Sequence, residues 1–224
     1  MTEQRHFYTL HYFNIRGRGE PIRLIFVYFD VKFEDHRIAN DDWPKFKPGA
    51  PMGQVPYLDV DGGKLVLCQM QSICRYLAKS LRPNDYFAGA TKSDSAKCDM
   101  YVEAFMNLFS LGVERLYEDD PVIRMKKEEI FMKQYPVRLR VLEDHLKSNG
   151  GRNFVGKTVL WCDLVALCVL SMLEEGLPEL MEDFPIMHSY YTSMRELPTI
   201  KDYIGRAWPP ASAVSKKQAD GEES

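Results

Sequence analysis

The sequence lacks a long uninterrupted apolar run, a pair of cysteines with two residues between them and any metal-ligand spacing among its five histidines. Its most apolar segment, residues 159–173, is too short to cross a bilayer and carries Asp163, so it predicts a buried helix. The five cysteines form no disulfide framework. We therefore expect reduced thiols, with Cys162 and Cys168 as small buried apolar residues, and no metal site.

The chain also lacks a strong charge of either sign. It has 29 Lys and Arg against 32 Asp and Glu, a net charge of −3. This balance gives no electrostatic reason to expect a nucleic acid or an anionic membrane as partner. The start of the chain, MTEQRHFYTL, has no long apolar segment typical of a signal peptide, so we expect a cytoplasmic protein with no membrane span.

The first 80 residues alternate between strand and helix patterns. Residues 6–13 and 32–38 alternate apolar and polar side chains as strands do, and residues 20–29 have Pro21 in the first turn of an apolar helix. The stretch VPYLDV-DGG-KLVL predicts a hairpin, and residues 69–80 predict a short helix. The order indicates an α/β domain over 1–82 that combines a βαβ unit with an antiparallel hairpin.

The rest of the chain has no strand pattern. From 91 to 207 apolar residues recur at helical spacing, which predicts an all-α domain. Residues 208–224 are polar and rich in small side chains, which predicts a disordered tail.

The junction YTLHYFNIRGRGEPIR, residues 8–23, concentrates positive charge where a strand hands over to a helix. Tyr12 ends the strand, and Gly17 and Gly19 leave room for a turn before the helix begins at Pro21. The N-terminus of a helix favours a bound anion because its N–H groups and its dipole point toward it. The junction therefore predicts an anion site, with a phenol hydroxyl beside it.

Several separate stretches together resemble the glutathione transferase family, closest to the sigma class, which includes glutathione-dependent prostaglandin D synthases. They are LHYFNIRGRGEPIR, FEDHRI, DWPKFK, MGQVPYLDVDG and ICRYLAK. The resemblance extends to about residue 208. It implies the glutathione transferase fold, a thioredoxin-like N-terminal domain plus an all-α C-terminal domain, in a homodimer. It also implies glutathione as co-substrate, hydrophobic electrophiles as acceptors and a role in detoxification.

The resemblance also assigns roles to individual residues. Tyr12 is the hydroxyl donor to the glutathione sulfur, and Arg18 assists it. Val55 precedes a cis proline, Pro56, and pairs through its main chain with the cysteinyl part of glutathione. The remaining residues implied around glutathione are Gln54, Gln69 and the position of Met70, with Trp43 and Lys47 at the glycyl end. Phe13 and Ile15 line the acceptor pocket, which the family places between its domains.

Three positions depart from the family pattern. Met70 stands where a serine normally binds the γ-glutamyl carboxylate, so only the main-chain N–H and the helix terminus remain there. Asn107 stands where an aspartate often reaches across the dimer to the γ-glutamyl ammonium, and an amide brings no charge. Leu160 replaces the hydroxyl of a capping box with Asp163.

Two functions therefore stay open at this point. The first is an enzyme that conjugates glutathione to electrophiles, with prostaglandin isomerisation or peroxidase activity as further possibilities within the family. The alternative is a catalytically weakened protein of the same fold that binds ligands or serves a structural, crystallin-like role. A thioredoxin-type redox protein is excluded, because the loop NIRGRGE has no cysteine.

Overall fold

The computed structural model describes residues 6–211 and contains a four-stranded sheet and nine α-helices in that part of the chain. The strands are β1 (Tyr8–Phe13), β2 (Glu34–Ile38), β3 (Tyr57–Val60) and β4 (Leu65–Cys68). The helices are α1 (Glu20–Tyr28), α2 (Trp43–Phe46), α3 (Met70–Ser80), α4 (Lys92–Leu116), α5 (Pro121–Ser148), α6 (Trp161–Gly176), α7 (Pro178–Glu182), α8 (Pro185–Arg195) and α9 (Pro198–Ala207).

The sheet has the order β2-β1-β3-β4. β1 and β2 are parallel and connected through α1, and the β3–β4 hairpin continues the sheet antiparallel to β1. Alternate residues of β1, such as Leu10 and Tyr12, are buried. The predicted thioredoxin-like fold, with its βαβ unit and hairpin, is thereby confirmed.

The described chain divides into two compact units, residues 6–87 with 196–211 and residues 88–195. The last helix therefore differs from its sequence assignment, because α9 belongs with the sheet and not with the other helices. The Arg37 side chain donates to the carbonyl of Ala207, the last residue of α9 (3.4 Å), and just beyond the helix the main-chain N–H of Arg16 donates to the carbonyl of Pro210 (2.9 Å). The Arg16 guanidinium also lies 5.0 Å from the Trp208 ring centroid. The predicted tail starts at 208, and its residues 212–224 lie outside the described part.

The second unit is helical, with α6 as its most buried element. Every residue from Trp161 to Ser171 on α6 is buried, as its apolar sequence predicts. Cys162 and Cys168 lie in this buried segment, and all five cysteines are free thiols, in agreement with the sequence. None of the helices within residues 6–211 is long and apolar enough to cross a membrane.

Asp163 completes the start of α6 although Leu160 has no capping side chain. Its carboxylate accepts hydrogen bonds from the N–H groups of Leu160 (2.8 Å) and Phe154 (3.1 Å) and from the Tyr190 hydroxyl (2.8 Å). In return, the Asp163 N–H donates to the carbonyl oxygen of Leu160, at 3.0 Å. The backbone therefore supplies the half of the capping box that Leu160 cannot.

The loop between β1 and α1 packs directly against the Tyr12 ring. A Cβ atom on Gly17 would lie 2.5 Å from the Tyr12 hydroxyl oxygen, and Gly17 has a φ of +37°. A Cβ atom on Gly19 would lie 2.3 Å from the Tyr12 ring carbon Cδ1. Both distances are far inside van der Waals contact, so this loop reaches the ring only because these residues are glycine.

We predict that Asp163→Asn lowers the thermal midpoint, because an amide N–H₂ group would face one of the three donors around the carboxylate. Burial raises the pKa of Asp163 to about 6, although its hydrogen bonds act in the opposite direction. A folded-state pKa above the ordinary value means that the folded protein binds this proton more tightly than the unfolded chain. The wild-type carboxyl therefore contributes more stability as the pH falls from about 6 toward about 4.

Thermal scans of the wild type and of Asp163→Asn across that pH range test this prediction. We expect the difference between their midpoints to grow as the pH falls. A difference that shrinks on acidification would mean that the carboxylate stays ionised in the fold, and would contradict the prediction.

We predict that Gly19→Ala destabilises the protein by roughly 1–3 kcal/mol, because the added methyl group overlaps the Tyr12 ring. Gly205→Ala is the matched control, since a Cβ atom there meets nothing within 4 Å. In the interior of α9 that change should be neutral or stabilising by about 0.5–1 kcal/mol. Thermal unfolding of both variants tests this prediction. Equal thermal midpoints for Gly19→Ala and Gly205→Ala would refute the packing argument.

Candidate functional site

The strand register brings four connecting segments to one edge of the sheet. Phe13 at the end of β1 pairs with Ile38 at the end of the parallel strand β2. His11 pairs with Tyr57, the first residue of β3, and Tyr57 pairs with Cys68, the last residue of β4. The segments that follow β1, β2 and β4, and the one that precedes β3, therefore open at the same edge. The last residues of β1 and these four segments carry the sequence-predicted residues of the first domain: Tyr12, Phe13, Ile15, Arg18, Trp43, Lys47, Gln54, Val55, Gln69 and Met70.

Tyr12 lies at this edge with only 6% of its surface exposed. Its hydroxyl oxygen accepts a hydrogen bond from the main-chain N–H of Arg18, at 2.9 Å. A hydroxyl that accepts from an amide is polarised and becomes a better donor through its own proton. The Arg18 side chain is exposed, so its main chain makes the observed contact with Tyr12.

A buried charge cluster lies beneath the same loop and was missed by the sequence analysis. Arg23 on α1 is fully buried and forms ion pairs with Glu20 (3.0 Å) and Asp35 (3.0 Å). It also donates to the carbonyl oxygens of Phe13 (3.0 Å) and Ile15 (2.8 Å). Burial acts to lower the pKa of Arg23, but the two carboxylates outweigh it and the pKa is raised.

Glu20 is the other fully buried member of this cluster. Burial raises its pKa, while Arg23 and the neighbouring Tyr203 hydroxyl act to lower it. The sequence does contain a signal for the pair: Glu20 and Arg23 lie three residues apart in a helix whose other residues are almost all apolar. Such a helix has no polar face to carry two charges, so they must pair inside the protein.

The segment after β2 supplies the predicted glycyl end of the site. Trp43, at the start of α2, makes an edge-to-face contact with Phe13, with 5.6 Å between the ring centroids. Phe13 in turn contacts Tyr12, at 5.6 Å. Lys47 is exposed, and its role at the glycyl end stays a prediction.

Val55 lies two residues before β3, and its bond to Pro56 is cis, as the resemblance implies. Within residues 6–211 neither the N–H nor the carbonyl group of Val55 has a hydrogen-bond partner. Gln54 is exposed and accepts a 3.4 Å hydrogen bond from the side-chain amide of Gln69. The segments before β3 and after β4 are therefore linked at this edge.

The start of α3 combines an unusual backbone with a buried methionine. Gln69, which precedes the helix, has a φ of +71°, a sparsely populated conformation that costs a non-glycine residue roughly 1–3 kcal/mol. Met70 is only 3% exposed, so its side chain packs into the protein. Asn107, from the second unit, is exposed on α4, and its role toward a second copy stays a prediction.

Among the described residues, no group of three or more His, Cys, Asp and Glu side chains is arranged to hold a metal ion. The groups that the sheet edge offers to a ligand are the Tyr12 phenol, the start of a helix and the main chain of Val55.

Comparisons with known proteins agree with this architecture. Residues 8–79 match the family model of the glutathione S-transferase N-terminal domain, and residues 106–206 match that of the C-terminal domain. Glutathione S-transferase 1 of Ascaris suum is 36% identical over 88% of this chain and 95% of its own length. Rat hematopoietic prostaglandin D synthase is 35% identical over 88% of this chain and 94% of its own length.

Solved structures give the same result. Rat hPGDS complexed with a quinoline superimposes with a TM-score of 0.82 at 33% identity, covering 92% of this chain and all of that one. A sigma-class glutathione S-transferase of Fasciola hepatica gives a TM-score of 0.83 at 26% identity, over 93% of this chain and all of that one. The two domain matches and these relatives establish that the chain belongs to the glutathione S-transferase family, a family of enzymes.

Proposed function

We propose that this protein is a glutathione transferase of the sigma type, which adds the thiolate of glutathione to electrophilic small molecules. The observation that carries the proposal is the buried Tyr12 hydroxyl, held by the Arg18 N–H beside the start of α1. Tyr12 donates to the sulfur, and the Arg18 side chain adds positive charge nearby. The non-catalytic alternative has no support among the relatives.

The chemical task is to ionise a thiol. Free glutathione should have a thiol pKa near that of cysteine, about 8.5, so only a few per cent is thiolate at neutral pH. Each unit by which the protein lowers this pKa corresponds to about 1.4 kcal/mol of selective stabilisation of the thiolate. A hydrogen bond from Tyr12 to the charged sulfur supplies about 1.5–3 kcal/mol, or one to two units.

The rest of glutathione follows the sheet edge in this proposal. The unpaired N–H and carbonyl groups of Val55 bond the cysteinyl backbone as an added strand would. Lys47 and Trp43 hold the glycyl end, where the ammonium pairs with the carboxylate. Gln54 and Gln69 lie toward the γ-glutamyl end.

The γ-glutamyl end relies on the main chain more than the family pattern implies. Met70 brings no hydroxyl, and its side chain is buried, so the N–H groups at the start of α3 receive the carboxylate. We propose that Asn107 of a second copy accepts a hydrogen bond from the γ-glutamyl ammonium without adding charge. Glutathione should accordingly bind more weakly than it would with a serine and an aspartate at these positions.

The acceptor lies next to Phe13 and Ile15, both partly exposed beside Tyr12. Apolar electrophiles fit these side chains, and conjugation of such compounds is a detoxification reaction. We propose that the protein acts as a homodimer in the cytoplasm. Because several relatives are prostaglandin D synthases, prostaglandin isomerisation is a second candidate reaction for the same site.

We predict that Tyr12→Phe lowers kcat/KM for conjugation of an aromatic electrophile about ten- to a hundredfold, because the sulfur loses its donor. Removal of the donor raises the thiol pKa, so the acid limb of the pH–rate profile moves to higher pH. The loss is then largest below neutrality and shrinks in alkaline solution. Tyr8→Phe is the matched control. Tyr8 is also buried and lies on the same strand and the same face as Tyr12, but four residues before it and so away from the sheet edge that carries the site.

Steady-state rates of the wild type and both variants, with retention on immobilised glutathione, provide the test. A wild type that neither binds the resin nor exceeds the buffer rate would refute the proposed function. Normal kinetics in Tyr12→Phe would refute only the role of Tyr12. Assay of the wild type with a prostaglandin endoperoxide separates the two candidate reactions.

We predict that Met70→Ser binds glutathione roughly tenfold more tightly than Met70→Ala. Both variants lose the packing of the buried methionine and should have lower thermal midpoints, by an amount typical of a large-to-small change. Only serine restores a hydroxyl at the helix start. Calorimetric titration compares the two affinities, and equal values would mean that the carboxylate of glutathione does not reach this position.

A further inference from the structure

Arg23 directs its guanidinium toward the loop that leaves Tyr12, not toward the surface. It is fully buried, and four of its contacts go to groups in or beside that loop. Two are main-chain carbonyls, those of Phe13 (3.0 Å) and Ile15 (2.8 Å). The other two are the carboxylates of Glu20 and Asp35.

The two carbonyls lie on either side of Asn14, the first residue after β1. A planar guanidinium that bonds both of them sets the direction in which the chain leaves the strand. Four residues further on, the same loop presents the Arg18 N–H to the Tyr12 hydroxyl, at 2.9 Å. The guanidinium carbon also lies 5.8 Å from the centroid of the Tyr12 ring, so Arg23 is close to the face of the phenol as well as to the loop.

A second arginine, on β2, binds the start of the same loop. Arg37 donates to Asp35 (2.6 Å) and to the side-chain oxygen of Asn14 (2.7 Å). Asp35 thereby joins both arginines, because its two carboxylate oxygens also share the single Nε–H of Arg23, each at 3.0 Å. The partly exposed Arg37 thus binds the side chain of Asn14, the first residue of the loop. The buried Arg23 binds the carbonyls of Phe13 and Ile15, the two neighbours of Asn14.

We propose that Arg23 is a positioning residue for thiolate formation, a proposal that rests on the transferase function proposed above. Arg23 has no exposed surface and cannot touch glutathione. It acts by holding residues 13–15 so that the Arg18 amide stays within hydrogen-bond distance of the Tyr12 hydroxyl. Asp35 and Arg37 support it from the neighbouring strand.

Lysine cannot replace arginine in this arrangement. A guanidinium has five N–H donors in a fixed plane, which Arg23 distributes over two carbonyls and two carboxylates. An ammonium keeps the charge but has three donors on one atom and cannot span these acceptors. Arg23→Lys therefore leaves the buried carboxylates with a cation while it releases the loop.

We expect Arg23→Lys to lower kcat/KM about ten- to a hundredfold, as misplacement of a reacting group does. The acid limb of its pH–rate profile should move to higher pH, in the same direction as in Tyr12→Phe. Affinity for S-methylglutathione, which has no thiol to ionise, should stay unchanged. Arg115→Lys is the matched control, because Arg115 forms a similar paired contact with Glu128 in the second unit. That variant should leave the pH–rate profile as it is.

A double-mutant cycle separates positioning from a general loss of structure. If Arg23 acts through Tyr12, Arg23→Lys should cost no more than about a further twofold in a Tyr12→Phe background. A merely structural role predicts the full loss in both backgrounds and weaker binding of S-methylglutathione, and either result would overturn the proposal.

Arg37→Gln provides a second variant in case Arg23→Lys fails to fold, since Arg37 is partly exposed and its loss leaves no buried cation unpaired. It should show a smaller shift of the acid limb in the same direction, and an unchanged profile would overturn the proposal. If the wild type and Tyr12→Phe behave as expected while Arg23→Lys is normal, only this inference fails. If the wild type has no transferase activity, the proposed function itself fails.

Discussion

The close contact between the Tyr12 ring and the loop that follows it is the constraint on which the rest of the site depends. The phenol lies against Gly17 and Gly19, where any side chain would overlap it, and its hydroxyl accepts the Arg18 N–H. This arrangement places the hydroxyl of a buried residue at the one edge of the sheet where α1 begins. A hydroxyl so held needs no reorganisation to donate to an anion there, which is what electrostatic catalysis requires.

Buried charge is the means by which the fold keeps that contact. Removing Arg23 and Glu20 from water is costly, and the cost is offset only because the two charges pair with each other and Arg23 makes further hydrogen bonds to two carbonyls and to Asp35. The interior of the first unit therefore holds an ion-pair network at a place where apolar side chains would avoid this desolvation cost. Its acceptors include main-chain carbonyls of the loop, so the network serves the geometry of that loop as well as stability.

The two ends of the proposed glutathione site rely on different kinds of group. At the sulfur end, side chains and their supporting contacts are in place around Tyr12. At the γ-glutamyl end, Met70 turns its side chain inward and leaves the helix start and its main-chain N–H groups. Main-chain donors are set by the fold and survive substitution, so the proposed anion site at the start of α3 does not depend on a hydroxyl at position 70.

The sequence by itself determined the order of strands and helices, the two-part organisation and the residues at the sheet edge, because periodicity, turn residues and several local motifs agreed. The spacing of Glu20 and Arg23 in an apolar helix indicated that pair, but the sequence could not reveal the wider network, since Asp35 and Arg37 come close to Arg23 only when β1 and β2 pair in parallel across α1. Nor could it place α9, whose last residue, Ala207, accepts a hydrogen bond from Arg37 across 170 positions of the chain. Tertiary structure alone decided that Met70 faces inward and that Asp163 caps α6 without a hydroxyl from Leu160, because both depend on which groups surround a position in space and not in the chain.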